Sequence, residues 1–143
     1  MREIRTEIQI LSKPNKVWET LTNLPAWSDW NPVVNKIEGK LETGSELFIT
    51  MAGKNGNDGK SYKSVVTEFE EEKRLSFIGI MMAKFMFSAE RIIELEDLEE
   101  GTLFTQREIY KGLLVSLFWK KLNEQAVRML NSMNKALKKR VEG

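Results

Sequence analysis

Three polar residues that could bind an oxygen-bearing ligand fall where two neighbouring strands should face the protein interior: Arg91, Gln106 and Glu108. Arg91 lies within an alternating apolar series that runs from Phe85 to Leu95, and a charge on an inward face is costly unless it is paired. Glu108 alternates with Gln106 on the next strand and is a suitable partner. We therefore predict that these three residues form the polar end of a ligand cavity.

At that end they would orient a carbonyl, hydroxyl or carboxylate of the ligand. Two alternatives remain open for Arg91. It could form a purely structural ion pair, or its charged end could extend to solvent at the sheet edge. If the site is catalytic, Glu108 is the candidate base and Arg91 the group that stabilises an enolate. The adjacent cation weakens Glu108 as a base, so we favour binding over catalysis.

The sequence contains no His and no Cys. This excludes Ser-His-Asp and Cys-His nucleophiles, a histidine base, the usual zinc sites and disulfides. We therefore expect no metal and no cofactor.

Charge and length narrow the classes of protein further. The 143 residues include 22 Lys and Arg against 21 Asp and Glu, a formal net charge of +1. Nucleic-acid binders normally carry a basic excess, so we expect no nucleic-acid partner. The opening residues resemble no secretory signal, and no apolar stretch could span a bilayer. We expect one domain over residues 1–143, cytoplasmic and not inserted in a membrane; the oligomeric state stays open.

The elements that position the polar residues follow from periodicity. Apolar residues alternate from Ile4 to Ile10, which predicts a strand with one buried face. Ser12 is a predicted N-cap with Pro14 in the first turn, and Ala26–Trp30 predicts a second short helix. Consecutive strands with hairpin-length connections should follow. They are predicted at 33–40, 46–51, 62–69, 75–80, 84–96 and 102–110.

Apolar residues repeat at intervals of three and four from Val115 to Val141, which predicts one long C-terminal helix. The predicted fold is α+β: a strongly curved antiparallel sheet of about seven strands wrapped around that helix, with two short helices after the first strand. Gaps beside the line of helix contact would suit an apolar ligand.

Apolar and aromatic side chains supply the predicted walls of that cavity. Met81, Met82, Phe85, Met86 and Phe87 are concentrated where two strands meet, and methionine adapts to irregular ligands. A plain core is the alternative for this cluster, and a plug at one end of the core is the alternative for Trp27. The candidate wall residues are Trp27, Phe77, Met81, Phe85, Phe87, Phe104, Phe118, Trp119, Leu122, Met129 and Met133.

Four segments resemble the START-like (SRPBCC) superfamily of helix-grip proteins, and within it the polyketide cyclase/dehydrase and lipid-transport-like group. They are Ser12–Glu19, the Trp-Pro segment Leu24–Pro32, the Gly101-Thr102 turn and the closing helix Gly112–Leu137. The resemblance implies the helix-grip fold. Related members often carry histidine near the positions of Arg91 and Gln106, so the lack of His argues against an imidazole mechanism here.

The superfamily contains several kinds of activity, so the resemblance leaves the function open. We expect a binder of a small hydrophobic molecule, such as a lipid, a polyketide or an aromatic metabolite. A polyketide cyclase/dehydrase-type enzyme is the second hypothesis, and a chaperone-activator-like interaction module is the third.

Overall fold

The computed structural model describes residues 1–81 and 83–143, so Met82 lies outside the described residues. It confirms the predicted helix-grip architecture: one strand, two short helices, six further strands and a long helix. The strands are β1 (Arg2–Ile10), β2 (Val34–Gly39), β3 (Glu46–Ala52), β4 (Asp58–Glu70), β5 (Arg74–Met81), β6 (Phe87–Leu98) and β7 (Gly101–Lys111). The helices are α1 (Pro14–Thr22), α2 (Trp27–Trp30) and α3 (Leu113–Glu142), with 3₁₀ turns at Leu24–Ala26 and Lys54–Gly56.

All seven strands form one antiparallel sheet in the order β1-β7-β6-β5-β4-β3-β2. The register places Arg91 opposite Glu108 on β7 and opposite Phe77 on β5. Because directly opposed residues of neighbouring strands share a face of the sheet, these three side chains lie on one face. The register therefore brings together the two charged residues that the sequence paired.

The start of the long helix is held by the β5–β6 turn. The amides of Leu113 and Leu114 donate to the carbonyl oxygens of Phe85 (3.1 Å) and Met86 (3.0 Å). Gly112 precedes the helix with φ of 121°, and a Cβ there would collide with the Met86 carbonyl oxygen. Only glycine satisfies both conditions without strain, so the position of α3 depends on this residue.

The two halves of α3 are packed differently. In the C-terminal half, Leu130, Met133 and Leu137 are at most 1% exposed and lie within the cores. In the N-terminal half, Leu113 and Leu117 are 73% and 74% exposed. The N-terminal half therefore buries fewer of its large apolar side chains than the C-terminal half, although Val115 is buried.

Several predicted boundaries were wrong, and the strand predicted from residue 62 begins at Asp58. Lys13, not Ser12, occupies the N-cap position of α1, and it makes no side-chain cap. The carbonyl of Ser12 instead accepts a hydrogen bond of 2.6 Å from Thr102 Oγ1, which ties the loop to the start of β7. The strand predicted from residue 84 begins at Phe87, because residues 83–86 form a turn closed by the Met86 amide on the Ala83 carbonyl.

Candidate functional site

A row of small residues leaves space beneath the middle of α3, between Leu122 and Met129. Ser64, Gly79 and Ala89 are register neighbours on three successive strands, and the row continues to Tyr110 on β7. Side chains this short cannot reach the helix. The result is a cavity of about 440 Å³, within the usual range for small-molecule sites.

Apolar groups dominate the walls of this cavity. From the helix side, Leu122, Ala126 and Met129 face the sheet residues Phe77 and Phe87 across the space. The remaining lining residues are Met51, Lys60, Tyr62, Ser64, Gly79, Ile80, Met81, Ala89, Arg91, Glu108, Tyr110 and Gln125. Such a wall can bury an apolar ligand, at about 25 cal/mol per Å² of apolar surface before the costs of binding.

The charged end of the cavity is an ion pair that is largely withdrawn from water. Arg91 Nε donates to Glu108 Oε2 at 2.7 Å, and the two side chains are only 16% and 13% exposed. The second carboxylate oxygen, Oε1, accepts a 2.8 Å hydrogen bond from the hydroxyl of Tyr110. Both oxygens of Glu108 are therefore already engaged.

A chain of amide side chains continues this pair into the core. Arg91 Nη1 donates to Gln106 Oε1 (3.2 Å), and Gln106 Nε2 donates to Asn134 Oδ1 (2.7 Å). Asn134 Nδ2 then donates to Thr6 Oγ1 at 3.0 Å. Gln106 and Asn134 are at most 1% exposed, so their amides rely on one another. The chain fixes the orientation of Arg91 and connects α3 to the sheet.

The electrostatics keep these groups in fixed protonation states. Burial opposes the charge of Arg91, but Glu108 and the neighbouring tyrosines raise its pKa on balance, so it remains a cation. Burial and the Glu108 carboxylate raise the pKa of Tyr110 well above its usual range. Burial also raises the pKa of Tyr62, against a smaller opposing effect of Arg91. Both phenols therefore stay protonated; Tyr110 donates to Glu108, and Tyr62 is able to donate to a ligand.

Five polar lining residues were missed by the sequence reasoning: Lys60, Tyr62, Ser64, Tyr110 and Gln125. Ser64 is 1% exposed, and its Oγ has no hydrogen-bond partner among the described residues. Tyr62 lies two residues earlier on the same face of β4 and is 41% exposed. The strand over 62–69 was predicted, but its facing was not, so neither residue could be assigned to the site. A buried hydroxyl without a partner is costly and marks a position where a ligand oxygen would be stabilised.

Seven of the predicted site residues line the cavity: Phe77, Met81, Phe87, Arg91, Glu108, Leu122 and Met129. Gln106 lies behind Arg91, as its hydrogen-bond partner rather than as a wall. Trp119 packs edge-on against Tyr110 at 5.9 Å and so lies one layer behind the wall.

The structure corrects the placement of the remaining predicted wall residues. Phe104 and Met133 are at most 1% exposed and belong to the filled core, because they lie beside the closely packed half of α3. Trp27 also plugs this core, with its Nε1–H bound to the Leu21 carbonyl at 2.8 Å. Phe85 and Phe118 are 68% and 51% exposed, so they lie on the surface rather than in the wall.

A larger surface hollow of about 880 Å³ lies at the far end of the sheet, around the β4–β5 turn. Its lining is mostly charged, with Glu70, Glu71 and Glu72 beside Lys73 and Arg74. The ion pairs there are exposed, and the apolar residues among its lining are Pro14 and Leu95. The cavity beside Arg91 is therefore the better ligand site, although it is smaller.

The family model described as "Polyketide cyclase / dehydrase and lipid transport" matches residues 1–142, and the chain belongs to this family. No curated protein matches the sequence. Protein CV1439 from Chromobacterium violaceum has a similar structure: TM-score 0.77 at 14% identity, over 99% of this chain and 97% of that one. No helix in the described part of the chain is both long and apolar enough to cross a membrane.

Two further solved structures share the fold. The AHSA1-like protein from Aeromonas hydrophila has a TM-score of 0.77 at 19% identity, over 99% of this chain and 92% of that one. A norcoclaurine synthase mutant from Thalictrum flavum, in complex with a transition-state analogue, has a TM-score of 0.72 at 14% identity, over 98% and 93%. At these identities the likeness defines the fold and not the ligand.

Proposed function

We propose that the protein binds a small amphipathic molecule, with its apolar body between the sheet and α3 and one oxygen-bearing group at Arg91. The observation that supports this most directly is a mainly apolar cavity of about 440 Å³ that has a buried cation on its wall. The buried hydroxyl of Ser64, which has no partner among the described residues, gives the polar end a second contact. Burial of the body provides affinity, and the polar groups select the orientation.

A carbonyl, hydroxyl or carboxylate oxygen matches these groups. Arg91 and the protonated phenol of Tyr62 are donors, and Ser64 can donate or accept. Glu108 is neutralised by Arg91 and bound by Tyr110, so it does not repel an anionic head group as a free carboxylate would. We therefore place fatty acids, oxygenated aromatics and polyketides ahead of hydrocarbons without a polar end.

A cyclase or dehydrase reaction is the second candidate, because the family description includes it. The geometry gives Glu108 little freedom to act as the base, since a guanidinium and a phenol bind its two oxygens. Arg91 and Tyr62 could still stabilise an enolate oxygen. Unchanged turnover of a polyketide substrate by Glu108→Gln would remove Glu108 from that reaction.

Thermal-shift measurements with fatty acids, sterols and aromatic polyketides test the binding proposal, with anilinonaphthalene sulfonate as the fluorescent probe. A ligand that binds only the folded state raises the melting temperature as its concentration rises above its dissociation constant. Ala89→Leu should fill the cavity and abolish this shift for every ligand. If the whole panel fails to stabilise the protein, or if Ala89→Leu binds the probe unchanged, the proposal is wrong.

The role of the polar end requires a variant that removes the charges in pairs. Arg91→Met with Glu108→Gln should weaken fatty-acid binding and leave a ligand without a polar group unaffected. The control is Arg107→Met with Glu94→Gln, since Arg107 Nε and Glu94 Oε1 pair at 3.1 Å across the same two strands but on the outer face. Equal losses in both double variants would show that Arg91 does not contact the ligand.

A further inference from the structure

Large apolar side chains are exposed together at the end of the molecule where the cavity lies. Phe85 is 68% exposed in the β5–β6 turn, and Leu113 and Leu117 are more than 70% exposed on the first turns of α3. The two segments are one unit, because the Leu113 amide donates to the Phe85 carbonyl at 3.1 Å. The six exposed residues that we call the apolar tip are Ile80, Met81, Phe85, Leu113, Leu117 and Phe118.

The two chain segments that form the apolar tip carry charge of a single sign. Segments 75–89 and 109–123 contain no Asp and no Glu, but they contain four lysines. All four are exposed, and none forms an ion pair with another residue in the described part of the chain. These lysines are Lys84, Lys111, Lys120 and Lys121.

The opposite end of the molecule carries charges of both signs. The β4–β5 turn carries Glu70, Glu71 and Glu72, and the β6–β7 turn carries Glu99 and Glu100. The C-terminal turns of α3 lie at this end and carry Lys138, Lys139 and Arg140, so its charge is mixed. The end whose exposed lysines form no ion pairs among the described residues is the one that a negatively charged surface attracts.

The spacing along α3 separates the apolar and basic groups by depth. Leu113, Leu117 and Lys121 are four residues apart and share one face of the helix. At about 1.5 Å per residue, Lys121 lies about 6 Å above Leu117 along the axis. Apolar groups of interfacial proteins enter a bilayer to roughly 5–10 Å, with their cations at the head groups. The tip has the dimensions of such an anchor.

We propose that the apolar tip docks on the surface of an anionic phospholipid bilayer. Phe85, Leu113 and Leu117 enter the outer acyl region, and the four lysines contact the lipid phosphates. Ile80 and Met81 belong both to the tip and to the cavity lining, so docking places the cavity mouth against the lipid. Direct exchange of ligand with the bilayer follows from this placement, and that consequence rests on the proposed function. A peripheral contact of this kind needs no membrane-spanning helix.

Vesicle co-sedimentation of the full chain tests the docking. We expect binding to phosphatidylcholine vesicles that contain a third phosphatidylglycerol, weak binding to pure phosphatidylcholine, and a reduction at high ionic strength. One cation near an anionic surface contributes about fivefold to partitioning, so Lys120→Glu with Lys121→Glu should lower it by at least about 25-fold. The control is Lys135→Glu with Lys139→Glu, which changes the same charges at the far end of α3.

Leu113→Ser with Leu117→Ser should also abolish sedimentation, including the part that survives high salt. Leu11→Ser is its control, because Leu11 is 64% exposed away from the tip. The proposal is overturned if the wild type ignores anionic vesicles or if the control variants lose as much as the tip variants. It is also overturned if the wild type is a dimer that Leu113→Ser with Leu117→Ser dissociates, since the tip would then be a contact between copies.

The probe anilinonaphthalene sulfonate, measured without vesicles, separates this proposal from the proposed function. The Lys120 and Lys121 variant should bind the probe like the wild type, because neither residue lines the cavity. Failure of docking with normal probe binding would refute the membrane contact alone. Normal docking in a protein that binds no ligand would refute the cavity function and, with it, ligand exchange at the bilayer.

Discussion

Replacing Arg91 with methionine should be among the most damaging single changes on the cavity wall. Methionine retains much of the apolar stem, but it leaves the Glu108 carboxylate with the phenol of Tyr110 as its remaining partner. Breaking a buried pair by removing one charge costs about 3–5 kcal/mol. The side chains retain 16% and 13% exposure, so we expect the lower end, about 3 kcal/mol.

The companion variant Arg91→Met with Glu108→Gln removes both charges. The amide oxygen that Glu108→Gln introduces would still accept the hydrogen bond of the Tyr110 hydroxyl, and no unpaired charge is left behind. Neutral replacement of a buried pair is often close to isoenergetic, so the double variant should be more stable than Arg91→Met alone by about 1.5 kcal/mol or more. The stability cost therefore comes from the orphaned carboxylate rather than from lost packing.

Urea denaturation followed by the fluorescence of the four tryptophans and by circular dichroism measures these free energies. Arg107→Met is the matched control on the outer face. Its partner Glu94 retains Arg74 at 2.8 Å, so the loss should be about 1 kcal/mol or less. If Arg91→Met costs no more than this control, or if the double variant is less stable than the single one, the reasoning on the buried pair is refuted.

Three further predictions concern neighbouring features. The raised pKa of Tyr62 and of Tyr110 means that the folded protein retains protons which the unfolded chain loses above pH 10.0, so stability is full below that pH and falls as the pH rises. The buried Tyr110 contributes up to about 1.4 kcal/mol per pH unit, and the more exposed Tyr62 contributes less because solvent screens it. Absorbance titration should show delayed ionisation of the native phenols, and ordinary ionisation of both would contradict this. Gly112→Ala should lower the free energy of unfolding, measured in urea, by about 1–3 kcal/mol, because φ is 121° and the Met86 carbonyl oxygen blocks a Cβ there. An unchanged free energy of unfolding would contradict the described start of α3. Asn134→Leu should lower the free energy of unfolding, measured by calorimetry, by about 1–3 kcal/mol, because Gln106 loses its buried acceptor. Adding Gln106→Leu should restore part of this loss. If it does not, the two amides act independently.

The sequence was sufficient for the fold and for the charged pair because both produce periodic signals. Alternation placed Arg91 and Glu108 on the inner faces of adjacent hairpin strands, and antiparallel register then made them opposite. The stripe from Val115 to Val141 likewise specified one long helix. In each case the periodicity within one strand or helix determines which residues face the core, and no contact between distant segments has to be known.

The cavity walls were less predictable because a cavity is defined by what is missing. Gly79 and Ala89 create the space, yet small residues in a strand produce no distinctive pattern. An apolar stripe also shows which face of a helix is buried, but not how closely each turn approaches the sheet. Phe104 and Met133 follow the same apolar periodicity as Phe77 and Met129, yet only Phe77 and Met129 line the cavity.

The hydrogen-bonded network that runs from Arg91 to Thr6 explains why the cavity stays open while the C-terminal half of α3 packs closely on the sheet. Asn134 is held by Gln106 and Thr6 on the sheet, so α3 is fixed one turn beyond the buried Leu130. Moving the helix inward to close the cavity would break these buried hydrogen bonds, and moving it outward would expose them. The same network that orients Arg91 therefore holds the space in front of it open, and the proposed ligand would not first have to separate the helix from the sheet.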